Sequence, residues 1–234
     1  MTAFDVYVIR FLNSYANRWQ PFDSVIVLVR ATNLLKGGVI AALIWWAWFR
    51  TKGDQKRTRA VILSTLVAAF GAMFTARGLA LTLPFRYRPI HNAEIGFQLP
   101  YGMMGEALDG WSSFPSDHAA LFVCLTVGLW FVSRRLGTVA LLHTFFVISF
   151  PRLYLGLHYP TDILAGAVIG VAWFGIANMA FIENLVLPAA MLWLEKHPMS
   201  FYAVFFLLTE QIATIFEDAR TVARMILAVL ARRF

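Results

Sequence analysis

Five ionisable side chains set among long apolar runs define the chemistry open to this chain. They are Asp117 and His118, then Arg152, His158 and Asp162 within Pro151-Arg152-Leu153-Tyr154-Leu155-Gly156-Leu157-His158-Tyr159-Pro160-Thr161-Asp162. An imidazole held by a carboxylate serves as nucleophile or proton carrier, and a guanidinium offers a fork of donors matched to phosphate oxygens. Arg86-Tyr87-Arg88-Pro89 adds two more such forks. Ser116 stands at an expected helix N-cap, ahead of the run that opens with Asp117, and the free amides and dipole of a helix start attract an anion. Pro160 suits a helix start, so Asp162 is expected in the first turn of the next helix, reaching back to the His158 ring. A carboxylate on one ring nitrogen leaves the other as nucleophile, and His118 can then protonate a leaving oxygen. Each histidine alone reads as structural; the combination describes a cradle for a tetrahedral oxyanion. Asp117 suits the helix dipole but would repel a phosphate if it pointed inward, so it is expected to point away.

Membrane helices must position these groups. Hydrophobic residues make up 59% of the 234 positions and charged ones 14%, against about 25% charged in soluble domains. The single cysteine, Cys124, excludes an intrachain disulfide and a thiol metal cluster. A net charge of +7, from 20 Lys+Arg and 13 Asp+Glu, suits anionic lipid or an anionic substrate. Asp5, Arg10 and Arg18 interrupt the N-terminal apolar stretch, which therefore reads as an interfacial helix over residues 4–19 rather than a cleaved leader, with a similar segment at 22–32.

Spans are expected at 37–49, 60–83, 119–132, 138–149 and 163–181, with 200–216 as an ambiguous sixth because it carries Glu210 and precedes a tail with Arg220, Arg224, Arg232 and Arg233. Arg77, deep in the second span, needs a partner. The basic run from Arg50 to Arg59 and the pair Arg134-Arg135 belong in the cytoplasm by the positive-inside rule. Arg88, the Ser116 to His118 stretch and the Arg152 to Asp162 stretch then gather on the outer face, beside a long loop from Pro84 to Asp117. The expected fold is an all-α integral membrane bundle of five or six spans with interfacial amphipathic helices. It forms one domain over 1–234: an amphipathic region at 1–33, a core with the site at 34–182, and C-terminal helices at 183–234.

Pro115-Ser116-Asp117-His118, and Arg152 followed by His158 and Asp162, resemble the second and third signature motifs of the phosphatidic acid phosphatase type 2 superfamily. Arg88-Pro89 resembles the end of its first motif. The resemblance covers roughly residues 60–182 and is nearest to undecaprenyl-diphosphate phosphatases of the bacitracin-resistance type. It implies His158 as a nucleophile forming a phosphohistidine, Asp162 as its orienting partner and His118 as general acid. Arg88, Ser116 and Arg152 would hold the phosphate, with Arg86 and Asp117 beside them, and no metal or other cofactor would be required. The implied partner is a lipid-linked phosphate or diphosphate, the implied location a bacterial cytoplasmic membrane with the site on its periplasmic face. Two positions depart from the pattern: Leu81 stands where the first motif opens with Lys, and Pro151 where Ser usually precedes the Arg. Arg86, or less simply Arg77, could replace the missing cation. Other lipid phosphates, or a transporter that keeps the cradle without catalysis, are the alternatives, and the spans argue against a soluble vanadium-dependent haloperoxidase.

Overall fold

A computed structural model describes residues 1–51, 53–178 and 180–216, with only the backbone for 180–186. The described residues form an all-helical bundle. The N-terminal helix α1 (Ala3–Asn13) is opened by a capping box, in which Thr2 Oγ1 accepts from the Asp5 amide at 3.1 Å and Asp5 Oδ2 accepts from the Thr2 amide at 3.2 Å. Its faces are reversed relative to a soluble protein: Asp5, Ile9 and Asn13 are buried while Phe4, Tyr7, Phe11 and Tyr15 are exposed. An exposed aromatic face beside a polar anchor is the arrangement of a helix lying in the membrane interface.

Helix α2 (Gln20–Ala31) ends at Thr32, and a π-helical turn (Leu34–Gly38) starts α3 (Val39–Phe49), with a bend of 71° between α2 and the segment that follows. Gly37 is needed there, because a Cβ would run into the backbone of Ala213. Helix α4 (Gln55–Thr82) is capped by Asp54 and runs from the basic cluster at Lys56, Arg57 and Arg59 to Arg77 near its other end. Helix α5 (Asp117–Val132) packs closely on α4 and on α8 (Pro160–Ala177), and this trio forms the core. Small residues permit the approach, since a Cβ at Gly166 would meet the Ser116 carbonyl and one at Gly170 the Ala120 carbonyl. Gly166 and Gly170 thus let α8 close up on α5, and the approach at Gly166 fixes the height of the Ser116 cap.

Helices α6 (Arg134–His143) and α7 (Phe150–Tyr154) are joined without a break by a second π-helical segment (Thr144–Ser149). Pro151 lacks an amide proton and its ring crowds the preceding turn, and widening that turn relieves both effects. The resulting helix is longer than the expected 138–149 and carries Arg152 within it. Helices α9 (Ala180–Lys196) and α10 (Pro198–Ala213) follow. Helix α10 lies antiparallel along α3: Trp48 stacks on Phe201, Trp45 Nε1 donates to Thr209 Oγ1 at 3.0 Å, and Gly37 meets Ala213. Among the described residues three helices, Gln55–Thr82, Arg134–Tyr154 and Pro160–Ala177, are long and apolar enough to cross a membrane, or four with the bent pair. Helix α5 is apolar but shorter, so five or six spans are not reached by that measure. The tail with Arg220, Arg224, Arg232 and Arg233 lies outside the described residues.

Candidate active site

The turn after α7 brings the third motif together. The Arg152 carbonyl accepts from the amides of Leu157 (2.9 Å) and His158 (3.2 Å), closing a loop in which Gly156 has a φ of +66°. The ring of Phe97 occupies the space a side chain at 156 would need, so glycine is required by both conformation and room. The Gly156 carbonyl accepts from the Ile90 amide at 2.9 Å, which ties the Arg88-Pro89 segment to His158.

His158 is buried, and its Nδ1 lies 2.8 Å from the Ser113 carbonyl. A carbonyl can only accept, so Nδ1 carries the proton and Nε2 keeps its lone pair. That Nε2 lies 3.4 Å from Nη1 of Arg88. Asp162, expected to orient the ring, has its nearer oxygen 3.7 Å from Nδ1 and accepts instead from the Tyr159 amide at 2.7 Å and from Arg86. Burial lowers the His158 pKa below the usual imidazole value, with Asp162 acting in the opposite direction. The ring is therefore neutral and nucleophilic at neutral pH. The acid limb of kcat/KM that follows His158 should lie below the ordinary value of about 6.5. A pH profile with that limb at or above the ordinary value would contradict the tautomer and burial argument.

The first turn of α5 supplies the facing imidazole. Ser116 is fully buried, accepts from the Ala119 amide at 3.4 Å and donates its own amide to the Asp162 carbonyl at 3.1 Å. It frames the helix start and does not line the cavity described below. Asp117 Oδ1 accepts from the His118 ring at 2.6 Å and Oδ2 pairs with Arg77 Nη2 at 2.7 Å. Asp117 thus points at His118, which it orients with Nδ1 protonated and Nε2 available.

Arg88 is buried and nearly spent on backbone carbonyls: Nε donates to Trp111 (3.1 Å), Nη2 to Ser112 (3.1 Å) and Nη1 to Leu157. Burial pulls its pKa down to about 10, with Asp117 and Asp162 opposing, so it stays cationic at neutral pH. Arg152 is buried and donates to the Ile148 carbonyl at 2.6 Å, one turn back. Arg86 takes a different position from the one expected. It bridges Asp162 and Asp5, at 2.8 Å from the latter, donates to Thr161 Oγ1 at 3.0 Å and stacks on the Tyr159 ring at 4.3 Å. This carboxylate–guanidinium–carboxylate row lies behind the site. Burial works to raise the Asp5 pKa, but hydrogen bonds from Thr161 and Thr2 outweigh it and hold the carboxyl below its usual range.

A cavity of about 400 Å3 is lined by His118, His158, Arg88 and Arg152, and also by Arg77, Arg30 and Lys36. A second cavity of about 390 Å3 shares Arg77, Arg88, Asp117 and His158 with it and continues along Ala80, Leu81, Leu83 and Phe85. Leu81 therefore belongs to an apolar wall, and Arg77, one turn earlier on α4, is the cation that α4 turns toward the site. Sequence reasoning missed Asp5, Arg30, Lys36 and the carbonyls of residues 111–113. Arg30 and Lys36 had a signal, since cations flanking an apolar run are costly unless they serve a site. His91 and His143 hydrogen-bond to the carbonyls of Ala107 (3.0 Å) and Leu35 (2.7 Å), outside the site. Among the described residues no group of three or more His, Cys, Asp or Glu is placed to hold a metal ion.

The sequence profile of the PAP2 superfamily matches residues 63–184. The chain is 23% identical over 182 residues to the bacitracin transport permease protein BcrC of Bacillus licheniformis, covering 76% of this chain and 83% of that protein. It is 27% identical over 153 residues to the putative undecaprenyl-diphosphatase YbjG of Escherichia coli K12, covering 64% and 70%. A shorter stretch of 86 residues is 40% identical to the lipid A 4'-phosphatase of Bacteroides thetaiotaomicron, covering 36% and 38%. No solved structure matches the chain.

Proposed function

The chain belongs to the PAP2 superfamily and is a membrane lipid phosphatase, and from that premise we propose that it converts undecaprenyl diphosphate to the monophosphate through a phosphohistidine. The terminal phosphate sits between Arg88 and Arg152 above the first turn of α5. Nε2 of His158 leaves its contact with Arg88 and attacks the phosphorus, and the bond from phosphorus to the bridging oxygen breaks. Protonated His118 gives its Nε2 proton to that oxygen, while Asp117, held by Arg77, supports the imidazolium. Water then attacks the phosphohistidine, His118 recovers a proton from it, and inorganic phosphate leaves. Little covalent work is required of the protein beyond positioning and charge stabilisation, as in phosphoryl transfer generally.

The observation that carries this reading is the pair of imidazoles lining one cationic cavity, with each Nδ1 tied to an acceptor, Ser113 O or Asp117 Oδ1, and each Nε2 available. Asp162 and Arg86 act from behind, holding the start of α8 and the loop that carries His158. The whole chain acts as one domain in a bacterial cytoplasmic membrane, with the cavity at the periplasmic face. In support of this, the basic cluster of α4 lies at the opposite end of that helix from Arg77. The stretch similar to a lipid A phosphatase makes lipid A phosphate the second candidate substrate.

Phosphate release without added metal, from undecaprenyl diphosphate, phosphatidylglycerol phosphate, phosphatidic acid and lipid A in detergent, tests the assignment. Undecaprenyl diphosphate should give the highest kcat/KM, with monophosphate accumulating. Faster turnover of lipid A would move the assignment to that substrate.

A further inference from the structure

Asp5 is a buried carboxylate that the chemistry above does not use. It sits in the first turn of α1, fully enclosed, and reaches the start of α8, 156 residues along the chain. Its Oδ1 accepts from the Thr161 amide at 3.1 Å, and its Oδ2 accepts from Thr161 Oγ1 at 2.9 Å and from Arg86 Nη2 at 2.8 Å. The amide at 161 is one of the free donors of the first turn of α8, where Tyr159 at the N-cap makes no side-chain cap hydrogen bond. Helix α1 thus caps α8 from outside. The guanidinium that Asp5 holds by one nitrogen holds Asp162 by the other. Asp162 Oδ2 is thereby left to the Tyr159 amide, at 2.7 Å, and stands 3.7 Å from His158 Nδ1. The rest of α1 reaches the same turn. Ile9 clusters with Ile95 and Tyr159, and Asn13 exchanges two hydrogen bonds with the Gln98 backbone, at 2.7 and 2.8 Å. Gln98 adjoins Phe97, whose ring fills the space beside Gly156 in the turn that carries His158.

We propose that Asp5 is a positioning residue for the reaction, acting through Arg86 and Thr161 to fix the turn that carries His158. This role rests on the reading of His158 as the nucleophile and deepens it. An arginine offered a single carboxylate binds it with both prongs of its fork. Without the charge at Asp5, Arg86 would turn wholly onto Asp162, draw Oδ2 away from the Tyr159 amide and shift the adjoining His158 ring. Asp5 prevents this by holding Nη2, and by capping Thr161 it keeps the start of α8 in register with the turn. Asp5 itself lines neither cavity, so it touches no substrate. A misplacement of about 1 Å in a reacting group costs on the order of 10²-fold in rate, which lets so remote a contact act on the chemical step.

Asp5→Asn in the detergent-solubilised full chain tests this, with farnesyl diphosphate as substrate and inorganic phosphate as ligand. The amide keeps the shape of the carboxylate but cannot accept with both atoms, so it cannot serve Thr161 and Arg86 together. The kcat should fall about 10- to 100-fold while KM and the phosphate Kd stay within about twofold. The His158 Nδ1–H resonance, recorded on histidine-labelled protein and identified by its loss in His158→Gln, should move. Mere damage to the fold would instead lower the fraction of protein that binds phosphate and leave kcat per binding site unchanged. Should Asp5→Asn yield no folded protein, Thr161→Val decides, and it should lower kcat severalfold with the same unchanged KM. A native kcat per binding site, an unmoved resonance or a loss confined to KM would overturn the role of Asp5. A His158→Gln variant that kept a substantial rate would overturn the nucleophile instead, and the resonance would still report whether Asp5 positions the ring.

Discussion

Replacing His158 by Gln is expected to cut phosphate release from the chain's best lipid substrate by about 10⁴-fold or more, the usual loss when a covalent nucleophile is removed. Glutamine is close to the imidazole in length and keeps an amide donor in the pocket beside the Ser113 carbonyl that now holds Nδ1. It has no nitrogen lone pair to attack phosphorus. Phosphate binding, which depends on Arg88 and Arg152, should change little. Parallel assays of release and of phosphate affinity check both halves. A variant that retained a substantial rate would show that water attacks directly, while one that lost phosphate affinity as well would show that the substitution damaged the cradle.

Arg88→Lys should lower kcat/KM by roughly 10²–10³, a large effect for a substitution that conserves charge. The native guanidinium satisfies the carbonyls of Trp111, Ser112 and Leu157 while standing 3.4 Å from the nucleophilic nitrogen. One ammonium cannot fill that fork, and each buried carbonyl left unpaired costs about 1–3 kcal/mol. The loss should include a lower melting temperature, because those carbonyls tether the loop before α5 to the turn that carries His158. Kinetics with thermal melts check this, and a Lys variant with native rate and stability would mean that the contacts of Arg88 are incidental.

Much of this site was legible in the sequence because its signals are local. Ser116 before Asp117 and Pro160 before Asp162 each state a helix start in adjacent residues, and the structure has those helix starts. Positive-inside counting likewise predicted that Arg88, His118 and His158 share one end of the bundle, and they line one cavity. What could not be read was long-range choice among equivalent groups. Arg86 and Arg88 are two residues apart and chemically identical. Only the burial of Asp5 under α1, 81 residues away, decides that Arg86 faces backwards. The partner of His158 Nδ1 is a backbone carbonyl, which no residue type advertises. Helix ends were misjudged where a π-turn intervened, at Leu34–Gly38 and Thr144–Ser149, because widened turns leave no simple periodicity.

A phosphohistidine on His158 is stable enough in alkali to be trapped. The full chain in detergent would be mixed briefly with farnesyl diphosphate carrying a radioactive terminal phosphate, quenched in alkali and mapped by peptide. Label is expected on His158, surviving alkali, lost in acid and absent from His158→Gln. Turnover with no label on the protein, or label on another residue, would contradict that intermediate.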